Sequence, residues 1–290
     1  MAIDFTKLHP TFGASSSAID LRQAQEPLLQ QIRDAMDRYG FLVFPDQRFD
    51  FQQQLDFASR LDGQLHSKTS AAAIAKNRFG NEALTDISNV GADGQVLANN
   101  DRRRMSGVAN RLWHTDASFE DPAGRYSMLF ARNLPPVRAD TQFADMRAAY
   151  DDLDPDTKAQ IAGYTVRHSI VYSRHVLGFD FSAEESARLP GAVHPLVRNF
   201  PETGRKSLYL ASHAERIMEL PVPEGRLILR DLTEHATRER YVFSHEWQLG
   251  DLVIWDNRTT MHRARPFDDT RYKRELTRVT TLDLPRVPAH

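Results

Sequence analysis

The chain has 290 residues, 41% of them hydrophobic, with a formal charge of −2 and no cysteine. That length can bury the core of one elaborated β-sandwich or barrel, and near-neutral charge without a basic block argues against nucleic acid and for a small-molecule partner. Without cysteine there can be no disulfide, thiolate zinc site, iron–sulfur cluster or cysteine nucleophile, so any metal must be held by histidine and carboxylate. The N-terminal stretch carries Asp4 and no apolar run of signal-peptide length, and no later run is long enough for a membrane span, so a cytoplasmic protein is expected.

Leu21, Ala24, Leu28, Leu29, Ile32, Ala35 and Met36 recur at helical spacing and predict a helix over 21–39, stopped by Gly40. Phe41, Leu42, Val43 and Phe44, just before Pro45, read as a short buried strand. A helix over 51–61 and a strand over 84–90 follow. Residues 91–105 are polar and aperiodic, with Asn99, Asn100 and Asp101 preceding Arg102, Arg103 and Arg104; they read as a loop suited to a lid. Beyond Trp113 come short β-like runs at 127–132, 141–144, 164–172, 196–200, 207–211, 241–248, 252–256 and 259–264, with turns at 201–204 and 249–250 and helices at 146–163 and 224–237. Such alternation predicts a mainly β fold, a sandwich or jelly-roll core with peripheral helices. No repeat, low-complexity tract or linker divides it, so one domain over 1–290 is expected.

His114 and Asp116 stand two residues apart, and on an extended strand such residues point to one face and can reach one ion. The triplet alone is a weak signal in a chain with 11 histidines. His213, Ala214 and Glu215 repeat its form, but read as the start of a helix, where such positions diverge. His262, far downstream in a β-like run, completes a set of two histidines and one carboxylate. That is the facial arrangement of non-haem iron(II) oxygenases, although zinc hydrolases use similar ligands. Near the C-terminus, Arg274, Leu276 and Arg278 share one strand face. Inward guanidinium groups there require anions to offset their desolvation; solvated charges on an edge strand are the alternative.

The strings WHTDASF (113–119), DTQFADMRAAYDDL (140–153), WDNRTTMHR (255–263) and RELTRVTTL (274–282), in that order, resemble the taurine dioxygenase family of iron(II)/2-oxoglutarate oxygenases, and within it the phenoxyacetate branch. DISNV (86–90), YSMLFA (126–131) and GDLVIWDNR (250–258) extend the likeness over nearly the whole chain. The resemblance implies a double-stranded β-helix (jelly-roll) core and a chemistry using Fe(II), 2-oxoglutarate and O2. It implies His114, Asp116 and His262 as metal ligands, Thr141 and Arg274 on the far carboxylate of 2-oxoglutarate, and Arg278 on a substrate carboxylate. It also implies that the Ala117 N–H binds the substrate anion, with Ser118 and His213 near the pocket and Asn89 and Gln95 on the substrate side. Relatives commonly assemble, so a homo-oligomer is allowed.

With a phenoxyacetate, hydroxylation beside the ether oxygen would release a phenol and glyoxylate, with succinate and CO2 from the co-substrate. An alkylsulfonate or another aryl or alkyl carboxylate is the rival substrate; a non-catalytic binding module and a zinc hydrolase are the rival classes. Arg138 and Ala139 stand where the family often has two glycines, one extra residue separates His262 from Arg274 relative to the phenoxyacetate enzyme, and Gln95 replaces a lysine.

Overall fold

Helix Glu26–Tyr39 shows how local chemistry trims a periodic signal. Apolar spacing begins at Leu21, but Pro27 has no backbone donor and is placed in the first turn, where none is needed. Leu21–Gln23 becomes a separate 3-10 turn capped by Asp20, and Gly40 ends the helix at φ 73°, as its position predicts. Helix Phe51–Asp62 begins with a capping box: the Asp50 carboxylate accepts the Gln53 N–H at 2.7 Å, and the Gln53 side chain accepts the Asp50 N–H at 3.0 Å. The structure is a computed structural model that describes residues 2–67 and 78–285.

The strands are β1 (Phe5–Lys7), β2 (Ala14–Ser16), β3 (Phe41–Phe44), β4 (Thr85–Ser88), β5 (Gly124–Asn133), β6 (Thr141–Asp145), β7 (Thr165–His168), β8 (Ala192–Pro195), β9 (Val197–Phe200), β10 (Arg205–Leu208), β11 (Ala214–Ile217), β12 (Val242–His245), β13 (Leu252–Asp256), β14 (Thr260–Ala264) and β15 (Glu275–Leu282). Seven form a sheet in the order β1-β2-β3-β13-β5-β15-β4, antiparallel except for β2 against β3. A second sheet has the order β12-β6-β14 and a third β11-β7-β8, while β9 and β10 form the hairpin predicted around 201–204.

Strand alternation sorts the core into layers. Leu42, Phe44, Met128, Phe130, Leu252 and Ile254 face the first two helices, whereas Phe41, Val43, Leu129, Ala131, Val253 and Trp255 point the other way and meet Phe143 of β6. Each such buried side chain contributes about 1.5–3 kcal/mol of transfer free energy, which holds the large sheet between a helical layer and the β12-β6-β14 sheet. A further cluster packs Val166, Leu196, Leu208 and Ile217 under Leu229 and Leu232 of helix Val222–Ala236. A sheet core with helices outside is therefore observed, as expected. Among the described residues no helix is long and apolar enough to cross a membrane.

Four readings need correction. The run 164–172 is not one strand: β7 ends at His168, and Ser169 caps helix Ile170–His175 by accepting the Tyr172 N–H at 3.0 Å. The helix over 146–163 is two, Met146–Asp151 and Pro155–Ile161, because Asp154 caps a new start and Pro155 fits only a first turn. The stretch 91–105 is not all loop, since the Asp101 carboxylate accepts the N–H groups of Arg103 and Arg104 and starts helix Arg102–Gly107. The stretch after His213 is strand β11, not a helix, and Glu215 pairs with Arg167 at 2.9 Å.

Candidate metal centre and anion pocket

His114 and His262 are brought together by backbone pairing across the sequence. They form an antiparallel bridge, with His114 N–H to His262 O at 3.0 Å and His262 N–H to His114 O at 2.8 Å. Their rings therefore share a face, with centroids 4.1 Å apart. Asp116 follows in a turn rather than a strand, yet one ligand atom from each of the three residues lies within 4.8 Å of the others. Among the described residues, this buried trio is the one group of histidines and carboxylates so arranged.

The scaffold around Asp116 explains how a turn residue is held. Its N–H donates to Asn257 Oδ1 at 3.0 Å, and its Oδ2 accepts from Ser127 Oγ at 2.7 Å. Asn257 also donates to Ser127 Oγ at 2.9 Å and accepts from Trp255 Nε1 at 2.9 Å. Arg278 pairs with the other carboxylate oxygen. Burial by itself would raise the Asp116 pKa, but the Arg278 charge above all, with the Ser127 hydrogen bond, outweighs it and brings it down to about 2, so the carboxylate stays ionised. His114 Nδ1 donates to Leu112 O at 2.8 Å, which directs its Nε2 lone pair toward Asp116. Burial lowers the pKa of His114 and lowers that of His262 well below the usual range; both imidazoles are neutral, the form that binds a metal. Trp255 is fully buried, and its ring lies 4.6 Å from that of His262.

Beside the trio opens a cavity of about 220 Å³ lined by Ala117, Thr141, Arg174, His213, Arg274 and Arg278 among others. Arg274 and Arg278 do face one interior, as the alternation predicts. Arg274 is 7% exposed; its Nε and Nη2 are buried without a hydrogen-bond partner, and burial brings its pKa down to about 10 despite Asp140. Thr141 Oγ1 accepts from Trp247 Nε1 at 3.0 Å. Asn89 lines the cavity but serves Arg274: its Oδ1 accepts the Arg274 N–H at 2.8 Å, and its Nδ2 donates to Asp269 O and Tyr272 O at 2.7 and 2.8 Å. Ala117 holds φ at 53°, a left-handed backbone that turns the chain directly after the ligand.

Two predicted substrate residues are placed elsewhere. Ser118 is fully buried against His168 Nδ1 at 3.0 Å and does not line the cavity; the turn begun at Asp116 rotates it to the rear. Gln95 is exposed and outside the lining, because the Gly91–Gln95 backbone turn directs it to the surface. His213 is on the wall, 6.1 Å ring to ring from His114. The sequence reading missed Asn257, Ser127, Trp247 and Arg174. The first two stand inside motifs already noted, but a hydrogen bond from Asn257 to a residue 141 positions away has no local signature.

Two histidines and a carboxylate meeting on one cavity wall, with Arg174, Arg274 and Arg278 lining the same cavity, define a facial-triad metal centre. The family model "Taurine catabolism dioxygenase TauD, TfdA family" matches residues 4–280. The chain is 42% identical to an alpha-ketoglutarate-dependent 2,4-dichlorophenoxyacetate dioxygenase of a Burkholderia species, over 97% of this chain and 95% of the relative. It is 34% identical to an (S)-phenoxypropionate/alpha-ketoglutarate dioxygenase of Sphingobium herbicidovorans, over 93% of this chain and 91% of that one. The crystal structure of AAD-2 with Mn(II) and N-oxalylglycine superposes with a TM-score of 0.92 at 42% identity, covering 97% of this chain and 98% of that one. The chain belongs to the TauD/TfdA family, and is an enzyme of the dioxygenase class.

Proposed function

We propose that this protein uses iron(II), 2-oxoglutarate and O2 to hydroxylate the carbon beside the ether oxygen of a phenoxyacetate-type acid, giving a phenol and glyoxylate together with succinate and CO2. One observation carries the reading: in the cavity beside the triad, Arg274 keeps two buried guanidinium nitrogens without a protein partner. A buried cation left so is costly unless a ligand anion completes it, and the far carboxylate of 2-oxoglutarate fits that requirement, with Thr141 next to it. The likeness to a protein crystallised with N-oxalylglycine, which carries the same two carboxylates, supports this pairing.

In this reading the sheets form a double-stranded β-helix in one catalytic domain. His114, Asp116 and His262 would hold the metal, which when bound would supply oxidative decarboxylation coupled to C–H oxidation. The chain's own residues do the rest. Neutral His114 and His262 offer Nε2, Arg274 and Thr141 orient 2-oxoglutarate, and Arg278 with the Ala117 N–H holds the substrate carboxylate so that one C–H faces the metal. The hydroxylated carbon is then a hemiacetal, whose bond to the aryloxy oxygen breaks as its hydroxyl becomes the aldehyde of glyoxylate and gives its proton to the phenolate.

The test is O2 uptake by anaerobically iron(II)-loaded protein with 2-oxoglutarate, comparing 2,4-dichlorophenoxyacetate, taurine and no substrate. Uptake accelerated by the phenoxyacetate with one phenol released per O2 is the expected result. Acceleration by taurine alone, with sulfite released, would replace this substrate by an alkylsulfonate.

A further inference from the structure

Arg174 has no part in the scheme above, yet it is 5% exposed and lines the same cavity as the triad. It stands on helix Ile170–His175, and its carbonyl accepts from Leu177 and Phe179 N–H groups at 3.0 and 3.1 Å, which fixes the backbone beneath the side chain. Its Nη1 donates to Ser173 Oγ at 3.0 Å, while its Nε is buried and unpartnered. Among the described residues no carboxylate forms an ion pair with it.

Of the other arginines that line the cavity, Arg265 is exposed to solvent and the rest have assigned partners. Arg103 pairs with Asp86 at 3.0 Å, and Arg104 and Arg111 with Asp269 at 3.0 and 3.1 Å. Arg278 pairs with Asp116, and Arg274 is assigned to 2-oxoglutarate. Arg174 is near enough to Arg278 for the two charges to repel, and burial together with that repulsion brings its pKa down to about 10. It therefore remains a cation at neutral pH, enclosed and without an ion-pair partner among the described residues.

The hydrogen bonds on this side also fix a polarity. Ser173 Oγ gives its single proton to Ile170 O at 2.9 Å, so it accepts from both Arg174 and His213 Nδ1, the latter at 2.9 Å. Burial, then the Arg174 charge, lowers the His213 pKa well below its usual value, so the ring is neutral and its Nε2 is an acceptor. The charges that line this side of the cavity are then positive from Arg174 and Arg278 against the single Asp116. With Asp116 serving as a metal ligand, an anion from outside would be needed to balance them.

We infer that Arg174 is the second anion receptor of this site, and that the acidic group of the substrate docks between Arg174 and Arg278 rather than on Arg278 alone. This rests on the reading that the cavity takes an acidic small molecule. It makes the helix after β7 a specificity element: it selects substrates with a delocalised oxyanion, a carboxylate or sulfonate, over neutral ethers of the same shape.

The experiment is calorimetric titration of Mn(II)- and N-oxalylglycine-loaded protein, wild type, Arg174→Gln and Arg174→Lys, with 2,4-dichlorophenoxyacetate, its neutral amide, and butanesulfonate. In Arg174→Gln the acid should bind about 10- to 100-fold more weakly, as expected for loss of a charged hydrogen bond. The preference for acid over amide should shrink by the same factor, Arg174→Lys should recover part of it, and N-oxalylglycine affinity should stay within about twofold. An unchanged acid-to-amide ratio in Arg174→Gln would overturn the inference and leave the phenoxyacetate reading intact, and a parallel loss of N-oxalylglycine binding in both variants would reduce Arg174 to a structural role. Wild-type binding of butanesulfonate but not the phenoxyacetate, lost in Arg174→Gln, would keep the receptor and overturn the substrate. Wild-type protein that binds none of the three would overturn both.

Discussion

Around the metal ligands almost every polar group has a protein partner, whereas Arg274 and Arg174 of the same cavity keep buried nitrogens without one. Asp116 is held at its N–H and at both oxygens, and His114 at Nδ1; His262 Nδ1 alone lacks a partner. On the other side, Arg274 and Arg174 are enclosed with unpartnered nitrogens. The protein completes by itself the geometry that must exist before any ligand arrives, and leaves incomplete the part that a ligand's charge is to complete. Satisfied groups cost little to bury, while the unsatisfied cations lower the stability of the empty site and favour anion binding.

The largest effect that could break this contrast is removal of a ligand. His262→Ala should lose metal binding and turnover together; metal titration that still shows iron binding, with full activity, would end the triad assignment. Arg274→Ala should raise the KM for 2-oxoglutarate by about 10- to 100-fold while metal affinity stays constant, since it removes a charged donor and not the scaffold. If steady-state kinetics instead show the loss on the phenoxyacetate, Arg274 and Arg278 have exchanged roles.

Next comes the scaffold. Asn257→Ala should weaken metal binding about tenfold, the lower end for groups that orient ligands, and melting should show some destabilisation because four hydrogen bonds are lost with one side chain. Trp247→Phe removes only the donor to Thr141 and should raise the KM for 2-oxoglutarate about fivefold. The smallest effect is expected at Gln95→Ala: an exposed residue outside the lining should change kcat/KM for the phenoxyacetate by less than about twofold. A larger change would place that turn in contact with substrate during turnover.

What the sequence determined by itself is what depends on local period and residue type. Strand alternation put Arg274, Leu276 and Arg278 on one face, Gly40 ended its helix, and the absence of cysteine left histidine and carboxylate as the metal donors. Where the structure departs from periodicity, a short-range capping signal decides: Ser169 starts the helix that carries Arg174, and Asp101 starts a helix within the polar stretch 91–105. Only the tertiary structure decided which of two similar triplets is the metal pair, because His262 pairs through its backbone with His114 and not with His213. It also decided that Asn257 braces Asp116 and that Arg174 shares a cavity with Arg278, 104 positions further along the chain. Contacts of that range are set by how sheets pack on each other, and neither period nor propensity encodes them locally.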